Sequence, residues 1–512
     1  MTRRLIYACL AVLCLPALQA HAETVRWGRA GDASTLDPHA AADGMTQQLV
    51  RNIYEPLVAR EPDGRLTGKL AASWLMRADD PSVWVFNLRR AVFHNGAAFT
   101  ADDVVFSYQR ARAEQTAFHE AMADVISISA VDARSVAIRF AKPSPTLPVA
   151  VTNVLVIDRE WAQANGAGTV RAPGTGDAPF TQRNANGTGA YSLQSREPQV
   201  RTKLVRNDRY HSPFPGGADT VIHLPIANPA MRAAALKRGE IDVLQDVAAT
   251  EIENLGKVDD IEVAIAPANT ILYLGYRFGQ ARPADASDSA EKNPFDDARV
   301  RHAIELAIDR NEVAAMVDHG HAGATAVLVP PFVNGWSRGL AAPSAPDMAR
   351  ARELLAEAGY ADGFAAKLDV ADGDAAAANR ISSMLARLGI WADVVARPQI
   401  AHDAHLASGD SMFHLANHAA PGSDSAAVLD WLVHGTPGYS NDALASRVDA
   451  LAAMPSGSAR NAELASIWIA VQKERIALPV AQRVLAHAMR DTISLAVDPD
   501  NQTRFETIRF ND

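Results

Sequence analysis

The stretch Trp84–Arg110, WVFNLRRAVFHNGAAFTADDVVFSYQR, decides the fold. Trp84, Phe86 and Leu88 share one face of an alternating run and Asn87 and Arg89 the other, which predicts a strand with one buried side. Asn95-Gly96 supplies a tight turn that re-aims the chain. Thr100 then caps a helix whose third position is Asp103, and Val104, Val105 and Tyr108 give that helix its apolar face. A strand, a turn and a helix in one short span set the class as α/β.

The same alternation of periods runs outward on both sides. TVRWG (Thr24–Gly28) and SVAIRF (Ser135–Phe140) read as strands, and Met45–Tyr54 as a helix. Tyr191–Ser195 and Thr202–Asn207 read as a hairpin, and Asn228-Pro229 opens a helix that stops at Gly239. IDVLQDV (Ile241–Val247) reads as a further strand. The helix of Val300, Ala303, Ile304, Ala307 and Ile308 begins at Asp296-Asp297, and another runs from Asp347 to Ala358 before Gly359. Two stretches break the pattern. Gln163–Gly189 is rich in Gly, Pro, Thr and Asn, and Gln280–Pro294 is polar throughout, so both are expected as loops or crossings.

At 512 residues the chain has room for two to four domains, at roughly 150 residues each. Its 48% apolar and 21% charged residues and mean hydropathy of −0.07 exclude a disordered or fibrous chain. A net charge of −10 leaves no basic stripe for a nucleic acid. Arg3 and Arg4, the apolar run Leu5–Leu18 and Ala20-His21-Ala22 have the layout of a secretory leader ending at residue 22. Its removal leaves 47 basic against 59 acidic residues, a net of −12, and takes away both cysteines, Cys9 and Cys14. The mature chain then has no disulfide, thiol nucleophile or thiolate metal site. Leu13, where a small residue would be needed, argues against a lipid on Cys14. A soluble, monomeric, periplasmic protein is expected.

Taken together the segments resemble the extracytoplasmic solute-binding proteins, family 5, that serve peptide and nickel importers of the ATP-binding-cassette (ABC) type. The resemblance is carried in order by Ser34-Thr35-Leu36-Asp37-Pro38, NIYEPLV (Asn52–Val58), LAASW (Leu70–Trp74), Trp84–Arg110, NGTGAYSL (Asn186–Leu193), ALKRGEIDV (Ala235–Val243), DDARVRHAIELAIDRNEV (Asp296–Val313) and ARELLAEAGY (Ala351–Tyr360). Each segment also reads as scaffold; Gly187 and Gly189, for instance, suit backbone conformations other residues resist. The resemblance implies a hinged, type II-like, two-lobed periplasmic-binding-protein fold with an extra domain in the first lobe. The first lobe is expected at 23–52, 185–268 and 478–512, the extra domain at 53–184 and the second lobe at 269–477. It also implies capture of a small solute, peptide-like, conjugated or chelating a metal, and delivery to an inner-membrane ABC permease.

Peptide-binding members hold the amino end with an Asp that follows a Gly-Trp pair. Here Ala416-Asn417 stands at that pair and Ala420 at the Asp, with Asp424 the nearest acid. The carboxylate-holding Arg is replaced by the loop Ala371-Asp372-Gly373-Asp374. The resemblance therefore implies a solute unlike a plain zwitterionic dipeptide. Asn417, His418 and Asp424 are candidate ligand contacts, and Phe118 and Trp336 candidate apolar walls. No cofactor or resident metal is expected; His414 and His418 would be the ligands of a metal or chelate if one were bound, although on a strand they lie about 13 Å apart. No Gly-x-Ser-x-Gly elbow, His-Glu-x-x-His helix or P-loop supports an enzyme, and Asp372 with Asp374 reads as solvated loop acids. An exported enzyme or chaperone on the same scaffold is the alternative, distinguished by turnover of the bound solute. Intact mass of the exported protein should correspond to a chain beginning at Glu23; a diacylglyceryl mass on Cys14 would contradict the leader assignment.

Overall fold

Two long strands carry the chain between its halves: Ile261–Tyr276 leads out and Ala477–Arg490 returns. They are the centre of a computed structural model that describes residues 23–143, 150–171, 174, 178–214, 216–279 and 292–511. The leader and most of the break Gln280–Pro294 lie outside the described residues, as do parts of Gln163–Gly189. The two strands pair antiparallel from Ile261↔Arg490 to Pro267↔Val484, lose register, and resume from Ile271↔Gln482 to Gly275↔Ala477. Pro267 explains the break, since proline donates nothing to a ladder. Gln482 fills it: its Nε2 donates to the carbonyls of Ala268 and Thr270 at 2.7 and 3.2 Å.

Each end of this ribbon is extended into a lobe. On one side Thr24–Arg29 runs parallel between Thr220–Pro225 and Val243–Leu244, and the hairpin of Tyr191–Glu197 and Arg201–Arg206 follows at the edge. On the other, Phe413–His418 lies antiparallel to the outgoing strand, with Phe364–Ala371 and Ile390–Arg397 parallel beyond it. Trp27, Leu49, Tyr191 and Phe505 centre the first core, and Tyr276, Phe295, Phe413 and Trp468 the core of the second lobe. A separate four-stranded antiparallel sheet contains Val83–Leu88, and with the helix Ala101–Ala111 it buries Phe86, Phe93, Tyr108 and Ile138. Strands and helices thus mix as the sequence predicts, in a two-lobed α/β fold.

Local expectations meet the structure in instructive ways. The Asp103 carboxylate accepts from the Thr100 N–H and hydroxyl at 2.9 and 3.0 Å, the cap read from the sequence. IDVLQDV yields a strand of only two residues, Val243–Leu244. Its flanks turn to side-chain work instead. Asp242 accepts from the Arg26 N–H at 2.7 Å, and the Gln245 carbonyl oxygen accepts from the Trp27 indole at 2.9 Å. Gly187 and Gly189 are required by close approach and not by positive φ: a Cβ at Gly187 would lie 2.1 Å from the Ile53 carbonyl oxygen.

Asp37, from the Ser34–Pro38 motif, and Arg110, from the end of the deciding stretch, meet as a buried ion pair. Arg110 Nη1 donates to Asp37 Oδ1 at 2.8 Å and to His39 Nδ1 at 2.9 Å, while His39 Nε2 donates to the Leu155 carbonyl at 2.8 Å. Burial and the neighbouring guanidinium push the His39 pKa down to about 4, so the ring is neutral and both its nitrogens are used. These motif residues are scaffold. Arg110→Leu should cost about 3–5 kcal/mol by stranding Asp37 in the interior; a urea midpoint unchanged from wild type would refute it.

Candidate functional site

A cavity of about 660 Å³ lies where the lobes and the extra sheet's domain face one another. The first lobe contributes the helix Gly44–Ile53, whose Asp43 cap accepts from the Thr46 N–H at 2.9 Å. Gln47 and Arg51, one turn apart on one face, look into the cavity, and Glu55 follows just beyond the helix end. The C-terminal loop adds Asp498, Asp500, Gln502, Arg504 and Glu506. A short hairpin, Val58–Arg60 with Leu66–Gly68, brings Arg60 and Lys69. Its tip is Gly64, at φ +83°, where a Cβ would lie 2.2 Å from the Phe332 carbonyl oxygen of the second lobe. From that lobe come Asn334, the loop Ala420–Asp424 and Arg460.

The lining is highly charged, but most charges are paired with one another. Arg60 bonds Asp500, Arg504 bonds Glu61, and Lys69 Nζ lies 3.5 Å from Glu506. Glu55 accepts from the Thr188 hydroxyl at 3.0 Å, the Tyr210 hydroxyl at 2.9 Å and His211 Nε2 at 2.8 Å. Burial alone would raise its pKa, yet His211 and Lys69 hold it below the usual range. Asp424 is engaged on both oxygens: Arg460 donates at 2.8 and 3.1 Å, Asn334 at 3.0 Å and the Ala426 N–H at 3.0 Å. Its carboxylate also stays below the ordinary range against the push of burial. Asp498 is raised by burial and by neighbouring Asp500, and it accepts from the Asp500 N–H at 2.8 Å.

Asn269 ties the pieces at the break in the outgoing strand. Its Nδ2 donates to the Ala420 carbonyl at 2.9 Å and to Asp500 Oδ1 at 2.7 Å, and its Oδ1 accepts from the Ala420 N–H at 3.2 Å.

Of the residues nominated from sequence, Asp424 and Phe118 border this cavity and Asn417, His418 and Trp336 do not. Asn417, on the strand Phe413–His418, bonds Asp374 at 3.0 Å and Arg483 at 2.8 Å. His418 stacks on Trp431 at 4.3 Å, His414 lies edge-on to Tyr273 at 6.0 Å, and Trp336 packs on the second-lobe core. Among the described residues, His414 and His418 belong to no cluster of metal-ligating side chains. Asp374 is buried against Arg483 and not a solvated loop acid, because Arg483 reaches it from the returning strand. Sequence reasoning missed Gln47, Arg51, Arg460 and Asn269. The signal for the first two was there, in two polar residues one turn apart on a helix otherwise buried at Leu49, Val50 and Ile53.

A cleft walled by two lobes joined through paired strands, with most of its charges already paired, is built to enclose a solute. The chain belongs to the bacterial extracellular solute-binding proteins, family 5, whose middle-region model matches residues 65–440. It is thus the substrate-binding component of an ABC importer and not an enzyme. It is similar to the glutathione-binding protein GsiB of Salmonella choleraesuis, 26% identical over 392 residues that span 75% of this chain and 71% of the relative. In fold it is similar to HbpA2 from Haemophilus parasuis, with TM-score 0.82, 20% identity and coverage of 95% and 100% of the two chains. The periplasmic binding protein DppA from Helicobacter pylori, in complex with peptide STSA, gives 0.72 at 21% identity over 96% and 98%.

Burial holds His39, His414 and His418 at pKa values of about 4, against an unfolded value near 6.5. The unfolded chain therefore binds more protons below that value, and stability should fall as pH drops from about 6.5 towards 4. Thermal melts across this range should show the loss, reduced in the double variant His414→Gln/His418→Gln; a flat profile would contradict the burial.

Proposed function

We propose that this protein is the soluble periplasmic receptor for a small peptide-like solute whose amino end is blocked or side-chain-linked, which it passes to an inner-membrane permease. The observation that carries the reading is the second-lobe wall of the cleft. Ala420 presents no charge there and its backbone is held by Asn269, while Asp424, the nearest acid, is engaged by Arg460. Asp372 and Asp374 do not border the cavity. A bare α-ammonium enclosed against this wall would lack a counter-ion, at a cost of several kcal/mol. The similarity to glutathione-binding relatives fits the same class: the first linkage of glutathione runs through a side-chain carboxyl group, so its α-ammonium keeps its own α-carboxylate beside it and brings the counter-ion that this wall does not supply. The volume suits a solute of a few residues.

The lobes are assigned at 23–52, 185–268 and 478–512 for the first and 269–477 for the second, with 53–184 as the extra domain. Closure of the two on the solute is the mode of capture. Calorimetry should show glutathione or N-acetyl-Ala-Ala-Ala bound at least tenfold more tightly than Ala-Ala and Ala-Ala-Ala, with a smaller radius of gyration by X-ray scattering at saturation. Sub-micromolar binding of the unmodified peptides would overturn the assignment.

A further inference from the structure

Of the basic residues lining the cavity, Arg60, Lys69, Arg460 and Arg504 each have a carboxylate partner. Arg51 forms no ion pair among the described residues. Its Nη1 and Nη2 reach only the Thr152 carbonyl and Asn153 Oδ1, both at 3.4 Å. The two acids whose charges reach it through space, Asp500 and Asp498, make no hydrogen bond to it. Asp500 is held by Arg60 and Asn269, and Asp498 by the backbone N–H groups of Asp500 and Gln502. A guanidinium with this little compensation in a partly desolvated cleft is a strong receptor for an anion.

One turn before it, Gln47 is 6% exposed. Its Nε2 donates to the Ala41 carbonyl at 2.8 Å, which fixes the amide's orientation, and Oε1 is left buried with no donor. The helix therefore offers two complementary vacancies on one face: a cationic fork that wants an anion and a carbonyl oxygen that wants an N–H or O–H.

We infer that Arg51 and Gln47 form a subsite for the carboxylate end of the solute, with the Arg51 guanidinium receiving the carboxylate and Gln47 Oε1 accepting from the adjacent amide N–H. The inference rests on the peptide-like reading above and adds that the acid end is held by the first lobe. The carboxylate supplies the charge Arg51 lacks, and the amide N–H that precedes a terminal carboxylate in any peptide satisfies Gln47. A solute anchored there is held by one lobe before the other closes on it.

The test compares N-acetyl-Ala-Ala-Ala with its C-terminal amide on wild type, Arg51→Gln, Arg51→Lys and Gln47→Met. Wild type should prefer the free acid on the order of a hundredfold, the scale of removing one partner from a desolvated charge pair. Arg51→Gln should abolish the preference, with the free acid losing at least thirtyfold more affinity than the amide, a result that general damage to the fold would not give. Arg51→Lys, which keeps the charge without the fork, should recover part of the preference, and Gln47→Met should weaken both probes. Equal wild-type affinity for acid and amide would overturn the subsite and leave the peptide-like reading standing. Failure of wild type to bind either probe would overturn both.

Discussion

The side chain of Asn269 is the constraint on which the rest of the cleft depends. Three polypeptide segments that share no secondary structure meet at its amide: the outgoing strand it belongs to, the second-lobe loop at Ala420 and the C-terminal loop at Asp500. Asp500 in turn holds Arg60 of the hairpin, so one residue links hinge, floor and rim. The link is possible because the ladder between the long strands is interrupted there. A continuous ladder would direct this residue's neighbours into strand pairing; the break at Pro267 releases backbone groups, which Gln482 then satisfies. A hinge of this kind keeps its hydrogen bonds made while its dihedral angles remain adjustable.

The cleft also shows how a polar cavity is kept empty of competing chemistry. Ion pairs such as Arg60–Asp500, Arg504–Glu61 and Arg460–Asp424 make its walls polar yet electrically balanced. Each is anchored at one end by backbone or by a third side chain, so the lining presents oriented dipoles more than mobile charge. Selectivity in such a site comes from the few groups left without a partner, because only those gain when a solute arrives.

Much of the fold was legible because it obeys local rules. The Trp84–Arg110 unit works through alternation, a turn dipeptide and a capping box, and none of these needs a distant partner to be recognised. The site was far less legible. Asp424 sits at the cavity as its acidity suggested, but nothing near it in sequence announces Arg460, which neutralises it from another helix. His418 looked chemically rich, yet the strand turns it onto Trp431. Asn417 is likewise held by Asp374 and Arg483, a pairing fixed only when two distant strands lie side by side. Ligand chemistry depends on which charges cancel, and that is a property of tertiary contacts.

The path of the chain has a consequence for how the molecule is made. The strand Thr24–Arg29 is the first described segment, yet its neighbours in the sheet are Thr220–Pro225 and Val243–Leu244, about two hundred residues later, and the first lobe's core is closed by Phe505 near the far terminus. The core of the second lobe, by contrast, draws only on residues between Ile271 and Ala481. The opening strand therefore has no sheet to join until Thr220–Pro225 is laid down, and the core of its lobe is not complete until Phe505 arrives. Such a topology leaves the first-lobe core open until the far end of the chain has been made.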